Sequence, residues 1–215
     1  MSKANPIKDF LNFYKKAEKL KSTLRHSWLS ETNRQESSAE HSWMLGLLAI
    51  VLFDQIKTKV NKEKVLKLVL IHDLAEAITG DIPSHEISKR QNSKKASEKR
   101  AMLKITSGLN KKTANEIFAL WEEFEECKTP ESKFANSLDK IEAVIQHNLA
   151  DIRTWDQGDY NIGPYYKDQY FDFDIFMRSF KNFVDIDTMK KILKAKQGKR
   201  IDPKHLLRFK SGNKF

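Results

Sequence analysis

The sequence predicts a single all-α domain. Only seven Gly and five Pro interrupt its 215 residues, and long stretches are rich in Lys, Glu, Leu, Ile and Ala. No segment alternates apolar and polar residues between hairpin turns, and no internal repeat is visible. With 40% hydrophobic residues the chain can bury a substantial core.

The elements follow in order. Residues 6–21 place Ile7, Phe10, Leu11, Phe13 or Tyr14, Ala17 and Leu20 at helical spacing on one side. "RHSWLSETNRQESSAE" (25–40) is polar and turn-like, and its Ser37 and Glu40 have the spacing of a capping box. A helix is therefore expected from about Ser38 to about Thr58. Asn61 is a cap for the next helix, and Gly80 is its stop. Residues 84–100 begin as a polar loop and lead into a helix through Met102 and Ile105. A further helix near 112–126 carries Ile117, Leu120, Trp121 and Phe124. Thr129-Pro130 opens another, expected to reach about Trp155. The Gly/Pro/aromatic stretch 156–172 reads as a connection, followed by one or two helices to residue 196.

Charge and cysteine content narrow the class. The formal charge is +10, but Met189 to Phe215 alone holds ten Lys or Arg against Asp202, giving +9 there and +1 elsewhere. Residues 1–188 are thus expected to form the domain and 189–215 a basic tail, which a nucleic acid, an acidic partner or a membrane surface could contact. No apolar run is long enough to span a bilayer, and the first ten residues lack the apolar core of a signal peptide. One cysteine, Cys127, excludes an intramolecular disulfide and suits a reducing compartment. A cytoplasmic protein without membrane association is the expectation.

The chemistry concentrates in "VLIHDLAEAITGDIPS" (69–84). Val65, Val69, His72 and Glu76 share one helical stripe, with Asp73 one step round and apolar Leu70, Ile71, Leu74 and Ile78 on the other faces. Ionised carboxylates in such surroundings cost several kcal/mol unless paired or bound to a metal. His41 lies above Leu45, Leu48 and Leu52, and Asp139 lies among Phe134, Leu138, Ile141 and Ile145. Singly, each has a plain structural reading: His41 as a hydrogen-bonded core residue, Asp139 paired with Lys133 or Lys140, Glu76 as a cap or surface partner. Together, His41, the His72–Asp73 pair and Asp139 make a mixed nitrogen and oxygen donor set from three helices, suited to a divalent first-row metal.

"AEH" (39–41), "HDLAEAITGD" (72–81) and "SLDK" (137–140) resemble the H…HD…D signature of the HD-domain metal-dependent phosphohydrolases. The extended HDxxExxxGD form, with "ESSAEHSW", "LWEEFEE" and "KFANSLDKIEAVIQ", is similar to the 5'-deoxynucleotidase branch, over roughly residues 20 to 155. The resemblance implies a helical bundle with a metal site between its central helices, and His41, His72, Asp73 and Asp139 as ligands of one divalent ion. Manganese, cobalt, iron, zinc and magnesium all remain open. It further implies Glu76 and Asp81 as catalytic acids, and Arg25, Trp28 and Arg34 as substrate contacts. The implied activity is hydrolysis of nucleoside 5'-monophosphates, deoxy ones foremost, by a homodimer whose interface the aromatic region 155–176 could supply. Nucleoside triphosphates or other small phosphate esters are the competing substrates. From a different class, the competitor is a non-catalytic helical module binding nucleic acid through the tail.

Overall fold

The computed structural model describes residues 5–84, 86 and 88–212. Helices α1 (Pro6–Ala17), α2 (Ser38–Leu52), α3 (Lys62–Ile71) and the one-turn α4 (Glu76–Thr79) make the first half. Helices α5 (Lys89–Thr106), α6 (Lys111–Glu126), α7 (Pro130–Leu149), α8 (Gln157–Ile162), α9 (Ile175–Lys194) and α10 (Pro203–Lys210) complete the chain. The all-α expectation stands, with one addition. Strands β1 (Leu24–Trp28) and β2 (Gln35–Ser37) pair antiparallel where only turn-like sequence was expected. Five residues of β1 lie against three of β2, an irregular register that leaves no clean alternation to read.

The main core lies where α2, α3, α6 and α7 meet, and Leu45, Ala49, Val65, Leu68, Val69, Phe134, Leu138 and Ile141 are fully buried there. Local signals set the starts of these helices. Ser37 accepts from Glu40 N while the Glu40 carboxylate accepts from Ser37 N, closing the expected capping box. Thr129 and Ser132 close another in front of α7, with Pro130 in the first turn. Asn61 caps α3 by accepting from Lys64 N.

The ends of helices depart more from expectation. Helix α2 stops at Leu52, short of Thr58; Gln55 and Ile56 turn back onto Leu52 O, and the Asp174 carboxylate takes the amides of Lys57 and Thr58. Helix α7 stops at Leu149 rather than Trp155, and Lys191 of α9 donates to the carbonyls of His147 and Asn148 at 3.1 and 2.7 Å. A cation at a helix C-terminus meets both the unpaired carbonyls and the dipole. The stretch 156–172 contains α8 and a short 3₁₀ turn, Asp168–Phe171.

The helix expected from Asn61 to Gly80 is interrupted at His72–Ala75. There the i→i+4 pattern yields to i→i+3 bonds: Leu74 N to Ile71 O, Glu76 N to Asp73 O, and Ala77 N to Leu74 O. In the tighter turn residues three apart eclipse, which brings Asp73 and Glu76 to the same side. Nor is this segment surrounded by protein, since Leu70 and Ile78 remain 58% and 39% exposed.

Other apolar assignments invert. The α1 stripe meets the bundle only through its C-terminal part, with Phe13, Ala17 and Leu20 packed and Ile7, Phe10, Leu11 and Tyr14 exposed. Region 155–176, which could supply an interface, turns four of its rings inward: Trp155, Tyr160, Tyr165 and Phe171 are buried. The segment 189–215, expected as a basic tail, is packed through much of its described length. Met189, Ile192 and Ile201 join Trp155 and Tyr160 in a third cluster. The Arg208 guanidinium lies 2.7 Å from Asp168, and Arg200 stacks on Tyr160 at 4.0 Å. No described helix is long and apolar enough to cross a membrane.

Candidate metal centre and active-site cleft

Three of the four expected ligands converge. One donor atom each from His41, His72 and Asp73 lies within 4.8 Å of the others. The fourth, Asp139, brings Oδ1 to 3.2 Å from His41 Nε2. His41 comes from the first turn of α2, His72 and Asp73 from the break after α3, and Asp139 from the middle of α7. A divalent ion fits them on chemical grounds. The His72 Nδ1–H donates to Val69 O at 2.9 Å, so in the neutral imidazole Nε2 carries the lone pair, and that atom is buried without a hydrogen-bond partner. It stands 3.2 Å from Asp73 Oδ2. Two atoms each about 2.1 Å from one ion, at right angles, sit roughly 3 Å apart.

Electrostatics point the same way. Burial and Arg25 both oppose a charged His41, yet Glu142 and Asp139 raise its pKa to about 10, so the acids demand positive charge at this spot. Burial works against ionising Asp73 and Asp139. His72 and Arg25 outweigh it at Asp73, Lys140 and His41 outweigh it at Asp139, and both carboxyls are held well below the usual range. Lys140 Nζ lies 2.5 Å from Asp139 Oδ2, so the plain ion-pair reading of Asp139 is realised alongside its contact with His41.

Glu76 sits beside this set, 3% exposed, with Oε2 accepting from the Ser38 hydroxyl at 2.8 Å. Burial, then Asp73 and Asp81, push its pKa well above the ordinary carboxyl value. Asp81 follows Gly80, whose φ of +74° turns the chain back so that Asp81 lines the same cleft. Arg25 reaches in from β1, with Nη1 3.0 Å from Asp73 Oδ2 and Nε 3.6 Å from Glu36. Burial lowers its pKa, but Asp73, Asp81 and Glu76 more than compensate.

Two expected substrate contacts lie elsewhere. Arg34 is on the surface, paired with Glu40 at 2.9 and 2.5 Å. Trp28 lines a separate groove with hairpin residues 29–33 and with Asp151 and Arg153, because β1 carries it beyond the cleft wall. The cleft takes Arg25, His26 and Ser27 instead.

Several residues went unnoticed in the sequence. Glu142 holds His41 Nδ1 at 2.5 Å, and both side chains are buried. A carboxylate on the outer imidazole nitrogen fixes the tautomer and aims the other nitrogen inward. Its position three residues after Asp139, on the same face of α7, was the available signal. Glu36 backs Glu142, and burial together with that second acid raises its pKa to about 7. Lys94 and Lys140 add positive charge to the cleft wall, which encloses about 850 Å³ of empty space, solvent at its mouth included. His26, His147 and Asp159 line the wall further along.

The fold and this donor set define a class, and comparison with known proteins agrees. The HD domain family model matches residues 17–176. A Danio rerio protein named 5'-deoxynucleotidase HDDC2 is 39% identical over 140 residues, 64% of this chain and 68% of that one. A Dictyostelium discoideum protein of the same name is 32% identical over 147 residues, covering 65% and 76%. The crystal structure of a predicted metal-dependent phosphohydrolase from Magnetospirillum magnetotacticum MS-1 shares the fold, with a TM-score of 0.76 over 86% of this chain and 94% of that one, at 24% identity. The chain belongs to the HD domain family. It is a hydrolase that depends on a divalent metal.

Two outcomes are expected. Glu142→Gln, which removes the charge behind His41, should weaken metal affinity by about 10–100-fold while the fold persists, as read by metal titration and circular dichroism. The second concerns His26, whose pKa is raised chiefly by its hydrogen bond to Asp159, with burial opposing and Asp156 and Asp81 adding to the rise. A raised folded-state pKa stabilises fully below the unfolded value near 6.5, and that stabilisation fades as pH climbs through the folded value. The melting-temperature gap between wild type and His26→Gln should therefore be larger at pH 6 than at pH 9.

Proposed function

We propose that the protein is a 5'-deoxynucleotidase, hydrolysing 2'-deoxynucleoside 5'-monophosphates to nucleoside and inorganic phosphate. The observation that carries the reading is the joining, in one cleft, of the His41–His72–Asp73 donor set with Arg25 and a buried, protonation-prone Glu76. The names of the relatives from Danio rerio and Dictyostelium discoideum support it.

His41, His72, Asp73 and Asp139 would hold the metal. A bound divalent ion neutralises phosphate charge, polarises a phosphoryl oxygen and lowers the pKa of water. The residues of the chain supply the rest. Arg25, fixed by Asp73 and Glu36, presents its planar guanidinium to phosphate oxygens, and Lys94 and Lys140 add long-range attraction for the dianion. Glu76, steadied by the Ser38 hydroxyl, takes the proton of the attacking water in its ionised form; burial, Asp73 and Asp81 raise its pKa and so make that carboxylate a stronger base. Asp81, on the cleft wall past Gly80, binds a water or protonates the leaving 5'-oxygen. A single cysteine accords with a cytoplasmic setting, which belongs to the same proposal.

The proposed assembly is a homodimer through the outer face of α2. From Ser42 to Phe53 that helix carries no charge. Trp43, Ile50 and Val51 are 64%, 60% and 61% exposed, and Leu47 is 42% exposed. A helix apolar on all sides is covered on all sides in a stable assembly. Gly46 lies between these residues, with nothing within 4 Å of where a Cβ would stand, so a second backbone can approach closely. Two copies of one face related by a two-fold axis are self-complementary.

Purified protein with manganese, cobalt or magnesium should release phosphate from deoxynucleoside monophosphates, and a chelator should stop it. Glu76→Gln should cut kcat by about 10²–10⁴-fold with metal content unchanged. Turnover that survives both chelation and Glu76→Gln would sink the reading. For the assembly, light scattering should give a dimer's mass for the wild type and a monomer's for Ile50→Glu. A wild-type monomer at micromolar concentration refutes the α2 interface.

A further inference from the structure

The cleft is longer than a phosphate needs. Asp139, Ala143 and His147 line it at four-residue intervals along α7. Eight residues of helix span about 12 Å, the scale of a nucleoside monophosphate from phosphorus to the far edge of its base. Ala143, the middle residue, has the side chain that leaves most room between the two ends.

The far end carries its own polar constellation. His26 Nε2 stands 3.1 Å from Asp159 Oδ2, which also accepts from Asp156 N at 2.8 Å. The other oxygen, Oδ1, is 3.7 Å from His147 Nε2, beyond hydrogen-bond length, and both groups line the cleft. Trp155 locks His147 in place: its ring meets the imidazole edge-on at 5.8 Å, and its Nε1–H donates to His147 O at 3.1 Å. A fixed carboxylate acceptor and a fixed imidazole, side by side in a cleft walled by Trp155 and Val144, are what a planar heterocycle with adjacent donor and acceptor groups requires.

We propose that Asp159 and His147 form the nucleobase subsite: the Asp159 carboxylate accepts from an N–H on the base edge, and the imidazole of His147 donates to the acceptor beside it. This inference rests on the nucleotidase reading and adds what that reading lacks, a contact that distinguishes a nucleotide from a bare sugar phosphate. The competing use of the cluster is a second cation, since donor atoms of His26, Asp156 and Asp159 also lie within 4.8 Å of one another. Hydrogen bonding is favoured because the same carboxylates serve the α8 cap, with Asp156 N donating to Asp159 Oδ2 and Asp159 N to Asp156 Oδ1.

The test uses the full metal-loaded chain, the four deoxynucleoside monophosphates and the abasic analogue 1,2-dideoxyribose 5-phosphate. In the wild type, kcat/KM should be at least about tenfold higher for the nucleotides than for the analogue, a difference near 1.4 kcal/mol. Asp159→Asn, which keeps an oxygen for the cap, and His147→Gln should each shrink that ratio, chiefly through KM. Wild-type cleavage of nucleotides with the ratio unchanged in both variants overturns the subsite while leaving the nucleotidase reading intact. Wild-type protein that cleaves no nucleotide with any metal overturns both. Metal analysis giving two ions per wild-type chain and one per Asp159→Asn chain assigns the cluster to a cation and also overturns the proposal.

Discussion

The structure turns on acids that the fold has taken out of water. Asp73, Glu76, Asp139, Glu142 and Glu36 crowd around the imidazoles of His41 and His72, and four of the five are 9% exposed or less. Like charges in a poorly solvated space cannot all ionise unless positive charge comes to them. The chain supplies it from several directions: Arg25 from the hairpin, Lys140 from α7, Lys94 from α5. The donor set around His41 and His72 adds a place for a divalent cation.

Much of the local architecture serves this balance. The break after Ile71 aims His72, Asp73 and Glu76 into one space, which a regular helix would spread over about 100° of its circumference. The capping box at Ser37 fixes the start of α2, and with it the depth of His41. The irregular β1–β2 pairing lets consecutive residues Arg25, His26 and Ser27 all face the cleft. Behind them Glu142 and Glu36 form an acidic backing, Glu142 on His41 Nδ1 and Glu36 raised by burial and by Glu142. The cleft then changes character along α7, from charge-dense at Asp139 to histidine and tryptophan around His147.

Legibility in the sequence followed the range of the interaction responsible. Helix starts were readable, because Ser37, Asn61 and Thr129 act on amides two or three residues away. The ends of α2 and α7 were not, since the partners there, Asp174 and Lys191, come from distant segments, whereas Gly80 stopped its helix locally as expected. His41, His72, Asp73, Glu76 and Asp139 stood out as polar residues on apolar stripes. Arg34 and Trp28 were placed by likeness of motif alone, and the chain carries them away from the cleft. Glu142 and Asp159 read as ordinary helix acids because nothing local reveals which imidazole each will meet.

The sequence by itself determined the helical class, the caps that start its helices and the few ionisable residues destined for the interior. These depend on periodicity and on hydrogen bonds within a turn of helix. Only the tertiary structure decided which charges neutralise which, where the α3 segment breaks, and that the basic C-terminal segment packs against the domain. It also decided that the rings of 155–176 turn inward while α2 leaves an apolar face outside. Coulomb and packing energies depend on distances in space, and a linear order of residues does not contain those distances until the chain has folded.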